Sequence, residues 1–440
     1  MMHKAKDITI YITIFILAFL IRFIFIIYFA NNPMIKDAVV YDQIAHSILK
    51  GYGFAFGPGQ PTSIIMPLYP LFLASIYFLF GYNIFFGLLG NVLLGALTCV
   101  IIFYIANKVF GRSIGILAAF IAILHNFLIS ATLRLWSETM YTFFFALTVL
   151  YFIRLIFDGY KLCDIILFSL SCALTTLVKP TPVFLPLFAL IIIFFINRYF
   201  WLTHMKKLIK VSFIMTAVFL MPIVIWSGRN YLISKSFLPF SSESGLGMYL
   251  SYHPFQGKIF GVKNQNDEVI IKGEKIESEL ERNRFYQKAA VNAIRSLSPK
   301  SFLKLVILKM LFFWSLIDWG FIGNGVATYN FASGFVFPFA IFGIFLCYSR
   351  NKKALILAFP IFYTMFFSIL TFGMPRFRLP IEPYLIILAA YAIYFLYKRF
   401  NKILICSLFS FWLMFNIFLY FNSHNLKLCF RLLGFKAGLW

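Results

Sequence analysis

The side chains that could do chemistry in this sequence are a few acidic residues, which lie in short polar segments between long apolar runs. Only 15 of the 440 residues are Asp or Glu, whereas 39 are Lys or Arg. Ionisable groups at membrane depth are costly and usually line a cavity, so acids in such positions indicate a functional site. Outside a longer polar segment at 227–300 and the positions expected in the cytoplasm, the acids are Asp37, Asp42, Glu138, Asp318 and Glu382. We expect all five at one outer face of the protein.

Basic residues are expected beside these acids. At the same face the sequence places Arg134, Lys179, Arg229, Arg376 and Arg378. Carboxylates and guanidiniums in one cavity would suit an anionic lipid together with a hydroxyl acceptor. Arg376 and Arg378 lie between prolines at a helix entrance, a position that suits bidentate phosphate binding. The alternatives are that these two arginines anchor lipid headgroups and that Lys179 snorkels to the interface.

The segment 31–54 is the first polar interruption of the chain, and it is the main candidate for the active site. After Asp37, apolar residues recur at helical spacing until two glycines end the pattern, which predicts an amphipathic interfacial helix of about 13 residues. Asp37 occupies the N-cap position, while Asp42 and His46 share the polar side. One alternative is that Asp37 only caps the helix, and another is that Asp42 is a solvated partner of His46. Tyr41 is expected to support the site or to pack in the interface.

Glu138 is the second acidic candidate. It stands at a predicted helix start, four residues after Arg134, in a segment expected on the same side as Asp37. It could cap that helix, form an ion pair with Arg134 or belong to the site.

The composition indicates a membrane protein. Hydrophobic residues make up 62% of the sequence and the mean hydropathy is +0.88, which is more apolar surface than a soluble core can bury. The net charge of +24 lies between the apolar runs, so we expect lipid headgroups and not nucleic acid as the partner. The six cysteines show no metal-type pairing, so neither a disulfide framework nor a zinc site is indicated.

The apolar runs predict an all-α polytopic membrane protein with about eleven transmembrane helices. The short basic N-terminus is expected in the cytoplasm, which places Asp37 outside. Residues 67–81 are interpreted as a juxtamembrane helix and 301–319 as an interfacial one, because a crossing by either would turn basic loops outward. The predicted regions are a transmembrane module with the catalytic first outer loop at 1–226, an outer cap with the interfacial helix at 227–333, and C-terminal transmembrane helices at 334–440.

Seven segments together resemble the GT-C superfamily of glycosyltransferases. The group in question uses polyprenyl-phosphate sugars and includes bacterial protein O-mannosyltransferases and lipid A aminoarabinose transferases. The segments are DAVVYDQIAHSILKGYGF (37–54), MPLYPLFLASIYFLFG (66–81), ANKVFGRSIGILAAFIAIL (106–124), SETMY (137–141), LVKPTP (177–182), SGRNYLISKSFLPFSSESG (227–245) and RFRLPIEPYLIILAAY (376–391). Their order along the chain, and no single segment, carries the resemblance.

The resemblance implies roles for the candidate residues. Asp37 corresponds to the catalytic aspartate of the outer loop and would act as the base. Glu138 corresponds to a second acidic position, where it would orient the acceptor, hold a divalent cation or tune Asp37. The residues that would bind the donor phosphate are Arg376, Arg378, Lys179 and Arg229. Those that would support the site are Tyr41, Asp42 and Arg134.

Two departures from the resembling families leave the specific activity open. An Asp-Glu pair is usual in protein O-mannosyltransferases, but Ala38 follows Asp37 here. A lysine precedes the juxtamembrane proline in aminoarabinose transferases, but Met66 precedes Pro67 here. The sequence therefore identifies neither the sugar nor the acceptor.

The predicted function is transfer of a hexose or pentose from a polyprenyl-phosphate donor, at the outer side of the cytoplasmic membrane. The acceptor would be lipid A or its core, another envelope glycan, or a protein. The resemblance implies inversion at the anomeric carbon, and it implies no cofactor beyond the divalent cation named above. One alternative is a transporter or flippase for a lipid-linked sugar, which predicts paired repeats and charges near the bilayer midplane. Another is a noncatalytic partner in membrane assembly.

Overall fold

The computed structural model describes residues 2–30, 34, 37–196, 198–253, 267–318 and 328–422. In these residues the only β-structure is one isolated bridge, Ala55 with Pro61, and one antiparallel pair of two-residue strands, β1 (Ile317–Asp318) and β2 (Thr328–Tyr329). The α-helices are α1 (Met2–Phe29), α2 (Asp37–Leu49), α3 (Leu68–Phe80), α4 (Ile84–Phe110), α5 (Arg112–Leu124), α6 (Asn126–Ser130), α7 (Glu138–Phe157), α8 (Leu162–Val178), α9 (Leu185–Ile196), α10 (Arg198–Thr203), α11 (Met205–Ser234), α12 (Ser244–Tyr252), α13 (Glu268–Glu274), α14 (Glu279–Ser296), α15 (Pro299–Phe313), α16 (Phe331–Arg350), α17 (Ala358–Leu370), α18 (Glu382–Arg399) and α19 (Lys402–Phe421). Four 3₁₀ helices lie between them, at Ala131–Leu133, Thr181–Phe184, Lys352–Leu357 and Pro375–Ile381. The predicted all-α class is confirmed.

Several helices are long and apolar enough to cross a membrane. Among the described residues they are six: Ile8–Phe29, Ile84–Phe110, Glu138–Phe157, Met205–Ser234, Phe331–Arg350 and Pro375–Arg399. A seventh span results if Arg112–Leu124 and Asn126–Leu133, which meet at a bend of 52°, are counted as one. The shorter apolar helices are Leu68–Phe80, Leu162–Val178, Thr181–Ile196, Ala354–Leu370 and Phe409–Phe421. The chain is thus a multi-pass membrane protein, and the number of about eleven crossings stays a prediction.

The two segments that the sequence interprets as non-crossing form short helices. α3 has 13 residues and α15 has 15. At 1.5 Å per residue both fall short of a hydrocarbon core about 30 Å thick. Their lengths agree with juxtamembrane and interfacial positions.

The two predicted region boundaries fall inside continuous helices. α11 runs from Met205 to Ser234 and so continues past residue 226, and α16 begins at Phe331, before residue 334. The first polar segment is only partly described, because residues 31–33, 35 and 36 lie outside the described set. The division into three regions stays a prediction.

The centre of the bundle is formed by α4, α7 and α18, whose residues are mostly buried. α4 packs against α1, α5 and α7, and α16 packs along α18. At Gly343 of α16, an added Cβ would collide with the backbone carbonyl of Leu388 on α18. Small residues let membrane helices approach this closely. The helices are then held together by van der Waals packing, because lipid provides no hydrophobic driving force for their association.

The polar segment after α11 forms a small helical cap of α12, α13 and α14. Its core consists of Leu246, Tyr249, Leu250, Ile270, Tyr286 and Ala290. Glu279, the first residue of α14, joins this cap to the loop after α2 by accepting hydrogen bonds from Thr62 Oγ1 at 2.6 Å and the Ser63 amide at 3.0 Å. The cap is thereby fixed close to the loop that follows Asp37's helix.

One end of the bundle is marked by two ion pairs between neighbouring helices. Lys108 on α4 contacts Asp158 after α7 at 2.6 Å. Arg154 on α7 contacts Asp164 on α8 at 2.9 Å. Glu138 and Lys179, two of the candidate site residues, lie at the other ends of α7 and α8. We therefore call the region of Lys108, Asp158, Arg154 and Asp164 the opposite end.

Candidate active site

Four charged residues meet at the end of the bundle where α2 and α7 begin and α8 finishes. Arg376 contacts Asp37, with 3.2 Å between Nη2 and Oδ2, and Glu138, with 3.7 Å between Nε and Oε1. Lys179 donates to the same Glu138 oxygen at 2.7 Å. We call these four residues the charged cluster, and their region the site end. Sequence analysis proposed all four as site residues, although they lie far apart in the chain.

Glu138 and Lys179 form the buried half of the charged cluster. Glu138 is the first residue of α7, where the positive end of the helix dipole stabilises a carboxylate. Lys179 precedes Pro180, and the proline ring excludes helical geometry from the residue before it. Lys179 is accordingly extended, at φ −147° and ψ 136°, and ends α8 with its side chain directed to Glu138. Only 4% of the Glu138 side chain is exposed, so its charge depends on these cations.

Arg376 is positioned by the 3₁₀ helix Pro375–Ile381, which leads into α18. Pro375 and Pro380 fix φ and remove two amide donors, so this segment cannot continue as an α-helix. The Arg376 guanidinium lies 5.6 Å from the Trp136 ring centre and 5.2 Å from that of Phe377. These cation–π contacts leave the guanidinium partly exposed and directed at both carboxylates.

Asp37 is the accessible carboxylate of the charged cluster. It lies in the first turn of α2, and 44% of its side chain is exposed. One turn later, the Tyr41 hydroxyl lies 3.1 Å from Ser137 Oγ, next to Glu138 in the chain. Burial, followed by the negative charges of Asp37 and Glu138, raises the pKa of Tyr41. Tyr41 therefore stays protonated and holds α2 against the start of α7.

Asp42 has a different environment from the one that its spacing with His46 predicts. It is buried and accepts hydrogen bonds from the hydroxyls of Tyr77 and Tyr82, both at 2.7 Å. The pKa of Tyr82 is raised to about 12 by burial and by this bond. The alternative of a solvated Asp42–His46 pair is wrong in this structure, because α3 covers that side of α2. These two hydrogen bonds anchor α2 to α3 and to the segment that follows it.

Two predicted phosphate ligands lie outside the charged cluster. Arg378 is fully buried and paired with Glu382, at 2.9 Å between Nε and Oε1. Arg229 donates to the carbonyls of Thr62 and Phe54, both at 2.6 Å, and so fixes the loop after α2 to α11. The structure therefore does not bring either guanidinium to Asp37.

Comparisons with known proteins agree with the predicted resemblance. The family model described as dolichyl-phosphate-mannose-protein mannosyltransferase matches residues 60–226, less than half of the chain. No curated protein sequence matches. Among solved structures, the chain matches the archaeal oligosaccharyltransferase AglB from Archaeoglobus fulgidus, in complex with an inhibitory peptide and a dolichol-phosphate, at TM-score 0.52 and 12% identity. It also matches ArnT from Cupriavidus metallidurans bound to undecaprenyl phosphate, at TM-score 0.43 and 11% identity.

The predicted resemblance to the GT-C superfamily is confirmed. The AglB match covers 88% of this chain and 50% of that one, so the chain spans about half the length of the archaeal enzyme. The ArnT match covers 90% of this chain and 81% of the other. At 12% identity and TM-score 0.52, the likeness to AglB establishes the fold alone. The matched family segment contains Glu138 and Lys179, whereas Asp37 and Arg376 lie on either side of it.

The charged cluster contains two carboxylates that could act as metal ligands, those of Asp37 and Glu138. Among the described residues no three or more His, Cys, Asp and Glu side chains are grouped as ligands. The resemblance allows Glu138 to hold a divalent cation, but here the Arg376 guanidinium contacts both Glu138 and Asp37 and so joins the two carboxylates. The donor set therefore fits an arginine bridge better than a divalent ion.

Sequence reasoning missed Trp136 and Ser137, which hold the charged cluster together. Trp136 is buried, and its ring centre lies 4.8 Å from the Arg134 guanidinium and 5.6 Å from that of Arg376. Ser137 contacts Tyr41. Their position in the sequence could have identified them, because both residues directly precede Glu138 in a polar segment between two apolar runs. Arg134 and Arg376 thus contact the same tryptophan ring.

Proposed function

We propose that the protein is a membrane glycosyltransferase that moves a sugar from a polyprenyl-phosphate donor to an acceptor hydroxyl. One observation carries this proposal. An exposed carboxylate, Asp37, and a buried ion pair, Glu138–Lys179, share a single partly exposed guanidinium at one end of a GT-C fold. A base beside cations at a membrane face is what transfer from a lipid phosphate requires.

Asp37 is the proposed base. It is the more exposed of the two acids, and it contacts the Arg376 guanidinium at 3.2 Å. In the reaction the acceptor oxygen bonds to the anomeric carbon as its proton passes to Asp37. The bond from that carbon to the phosphate oxygen breaks, and the phosphate leaves with the electron pair. A single displacement of this kind inverts the anomeric centre.

Arg376 and Lys179 are the proposed phosphate-binding cations. Both are partly exposed, 26% and 19% of their side chains, and both already neutralise carboxylates. A lipid phosphate that enters between them would gain charge-assisted hydrogen bonds as negative charge develops on the leaving oxygen. The matched AglB structure contains dolichol-phosphate, and the matched ArnT structure contains undecaprenyl phosphate. For this chain the same ligand class fits the two cations.

Glu138 is proposed to organise the site and not to accept the proton. Its side chain is buried and bonded to Lys179, and Arg376 lies beyond it. A carboxylate held between two cations is a weak base, because protonation would leave their charges uncompensated. Its role is to keep Lys179 and Arg376 facing the donor.

The site end is proposed to face the extracytoplasmic side of the cytoplasmic membrane. α8 ends at the charged cluster, so the apolar helix α9 leads back toward the opposite end. The segment that follows contains Arg198, Lys206, Lys207 and Lys210. Basic loops stay in the cytoplasm, which places the charged cluster outside, where the acceptor would be an envelope glycan, a lipid or a protein.

The proposal is tested with the full chain in lipid nanodiscs and in sealed vesicles. Undecaprenyl-phosphate-linked hexoses and pentoses, labelled in the sugar, are supplied with an envelope extract as acceptor. We expect labelled covalent product from the wild type and none from Asp37→Asn. Accumulation of intact donor inside vesicles without covalent product would instead support a transporter. Undiminished product from Asp37→Asn would remove Asp37 as the base.

A further inference from the structure

Arg378, two residues after Arg376, is hydrogen-bonded to protein groups away from the charged cluster. Arg378 is fully buried, and its Nη1 donates to the backbone carbonyls of Phe313 at 2.8 Å and Ser315 at 2.9 Å. Its guanidinium also lies 4.7 Å from the ring centre of Phe337. Phe313 is the last residue of α15 and Ser315 lies two residues beyond it, in the region where helix carbonyls lack intrahelical donors. Arg378 thus caps α15 from the 3₁₀ helix Pro375–Ile381.

Glu382 completes this buried arrangement. Its Oε1 accepts from Arg378 Nε at 2.9 Å and from Ser333 Oγ, in the first turn of α16, at 2.9 Å. Its Oε2 lies 3.5 Å from Nε2 of His125, the residue at the bend between α5 and α6. A single carboxylate–guanidinium pair therefore joins the 3₁₀ helix to the end of α15, the starts of α16 and α18, and the bend between α5 and α6.

The two arginines leave the same 3₁₀ helix in different directions. With three residues per turn, positions two apart lie about 120° from each other around the axis. Arg376 reaches Asp37 and Glu138, whereas Arg378 reaches Glu382 and the end of α15. Any rotation of this short segment moves both side chains together. Because Glu382 and the end of α15 hold Arg378 in place, they also set the direction in which Arg376 points.

We propose that Arg378 and Glu382 are positioning residues, which hold the 3₁₀ helix so that Arg376 contacts Asp37 and Glu138 at the same time. This inference rests on the proposed function for its catalytic meaning. Its geometric content does not depend on any substrate, since it concerns the distance from Arg376 to residue 37. A displacement of about 1 Å at a reacting site reduces turnover by up to roughly 100-fold, so such positioning has a catalytic effect.

The first test uses Asp37→Cys as a probe that needs no substrate. A neighbouring guanidinium stabilises the thiolate and lowers the thiol pKa. The thiol pKa is read from the pH dependence of alkylation at residue 37, followed by mass spectrometry. Adding Arg376→Ala should raise it by about one unit. Adding Arg378→Lys should raise it in the same direction, and Arg378→Lys should have no effect when Arg376 is already absent.

A matched control is Arg22→Lys. Arg22 is also a fully buried arginine bonded to backbone carbonyls, those of Ala18 and Ala122, but it does not touch the charged cluster. Its replacement should lower thermal stability without moving the thiol pKa. If Arg378→Lys does not fold, Ser333→Ala decides, because it removes only one hydrogen bond to Glu382 and should give a smaller rise.

The inference is overturned by a thiol pKa that Arg376→Ala raises but neither Arg378→Lys nor Ser333→Ala changes. It is equally overturned if Arg378→Lys has its full effect without Arg376, or if Arg376→Ala has none. A second measurement uses binding of undecaprenyl phosphate, which Arg378→Lys should weaken only while Arg376 is present. Lack of binding by the wild type would contradict the proposed function, whereas the thiol measurement would still decide the positioning inference.

Discussion

Carboxylates are paired with cations at both ends of the helix bundle, but in different arrangements. At the opposite end each carboxylate has its own cation: Asp158 pairs with Lys108 at 2.6 Å, and Asp164 pairs with Arg154 at 2.9 Å. The Asp158 pair is partly exposed on both sides, 30% and 19%. Such pairs connect helix ends and contribute little energy individually, about 0.2–1 kcal/mol when exposed.

At the site end the charges are shared. Arg376 contacts two carboxylates, and Glu138 contacts two cations. The most exposed member, Asp37, has the weaker contact of the two acids, at 3.2 Å against 2.7 Å for Glu138 with Lys179. Shared partners and one accessible acid make this end responsive to a bound anion, whereas each ion pair of the opposite end joins one carboxylate to one cation.

The largest expected difference between the ends is in turnover. Asp37→Asn should reduce sugar transfer roughly 10³-fold, within the range for loss of a general base, because the amide cannot accept the acceptor's proton. Asp158→Asn, the matched change at the opposite end, should leave transfer within about twofold, since it removes only an exposed pair. Initial rates with a labelled polyprenyl-phosphate sugar provide the comparison, and equal losses for the two variants would show that the ends do not differ as proposed.

The second difference is in stability. Glu138→Gln leaves the charges of Lys179 and Arg376 facing each other at a buried position, so we expect the free energy of unfolding to fall by about 3 kcal/mol. Asp158→Asn should cost at most about 1 kcal/mol. Thermal unfolding in detergent, with the two variants measured in parallel, reports the order. A larger loss for Asp158→Asn would contradict the distinction between a shared buried network and an exposed pair.

The third difference concerns the shape of the shared cation. Arg376→Lys keeps the charge but loses the planar fork that reaches Asp37 and Glu138 together, so transfer should fall about tenfold or more. Lys108→Arg at the opposite end keeps a single pair with Asp158 and should have no effect on transfer. Full activity of Arg376→Lys would show that charge alone, and not bridging, is needed at this position.

The sequence predicted the helical class and the members of the charged cluster, because both depend on local composition. Apolar runs set the helices, and rare acids between them marked Asp37 and Glu138. Helical spacing could not identify the bond from Glu138 to Lys179, which is 41 residues away. For Asp42, spacing predicted a polar surface, yet the hydroxyls of Tyr77 and Tyr82 on the covering segment make burial favourable. Long-range partners of this kind are set by packing.

Residues 376–378 show, within a single turn, the same limit of prediction from sequence. The sequence assigned Arg376 and Arg378 one role, phosphate binding, because both lie between prolines at a helix entrance. In a 3₁₀ helix that spacing separates their directions, and only the tertiary structure decides which one meets the carboxylates.

The smallest expected difference concerns a buried lysine with no carboxylate partner among the described contacts. Lys309 on α15 is fully buried, donates to Ser251 Oγ at 2.6 Å, and lies 3.8 Å from the Tyr252 ring centre. Burial lowers its pKa to about 7. Lys108, at the opposite end, is partly exposed and paired with Asp158. One lysine is thus compensated by a carboxylate, and the other becomes neutral.

The sign of the resulting pH dependence follows from proton binding. Between pH 7 and about 10.4, the unfolded chain holds a proton on Lys309 that the folded chain has released, so stability rises with pH in this window. Below pH 7 both states are protonated and the burial penalty is fully present. Thermal unfolding of the wild type should therefore show stability rising between pH 7 and 9 by at most about 1.4 kcal/mol per pH unit. Lys309→Met should abolish this rise, whereas Lys108→Met should retain it, and a rise that survives in Lys309→Met would assign the titration to another group.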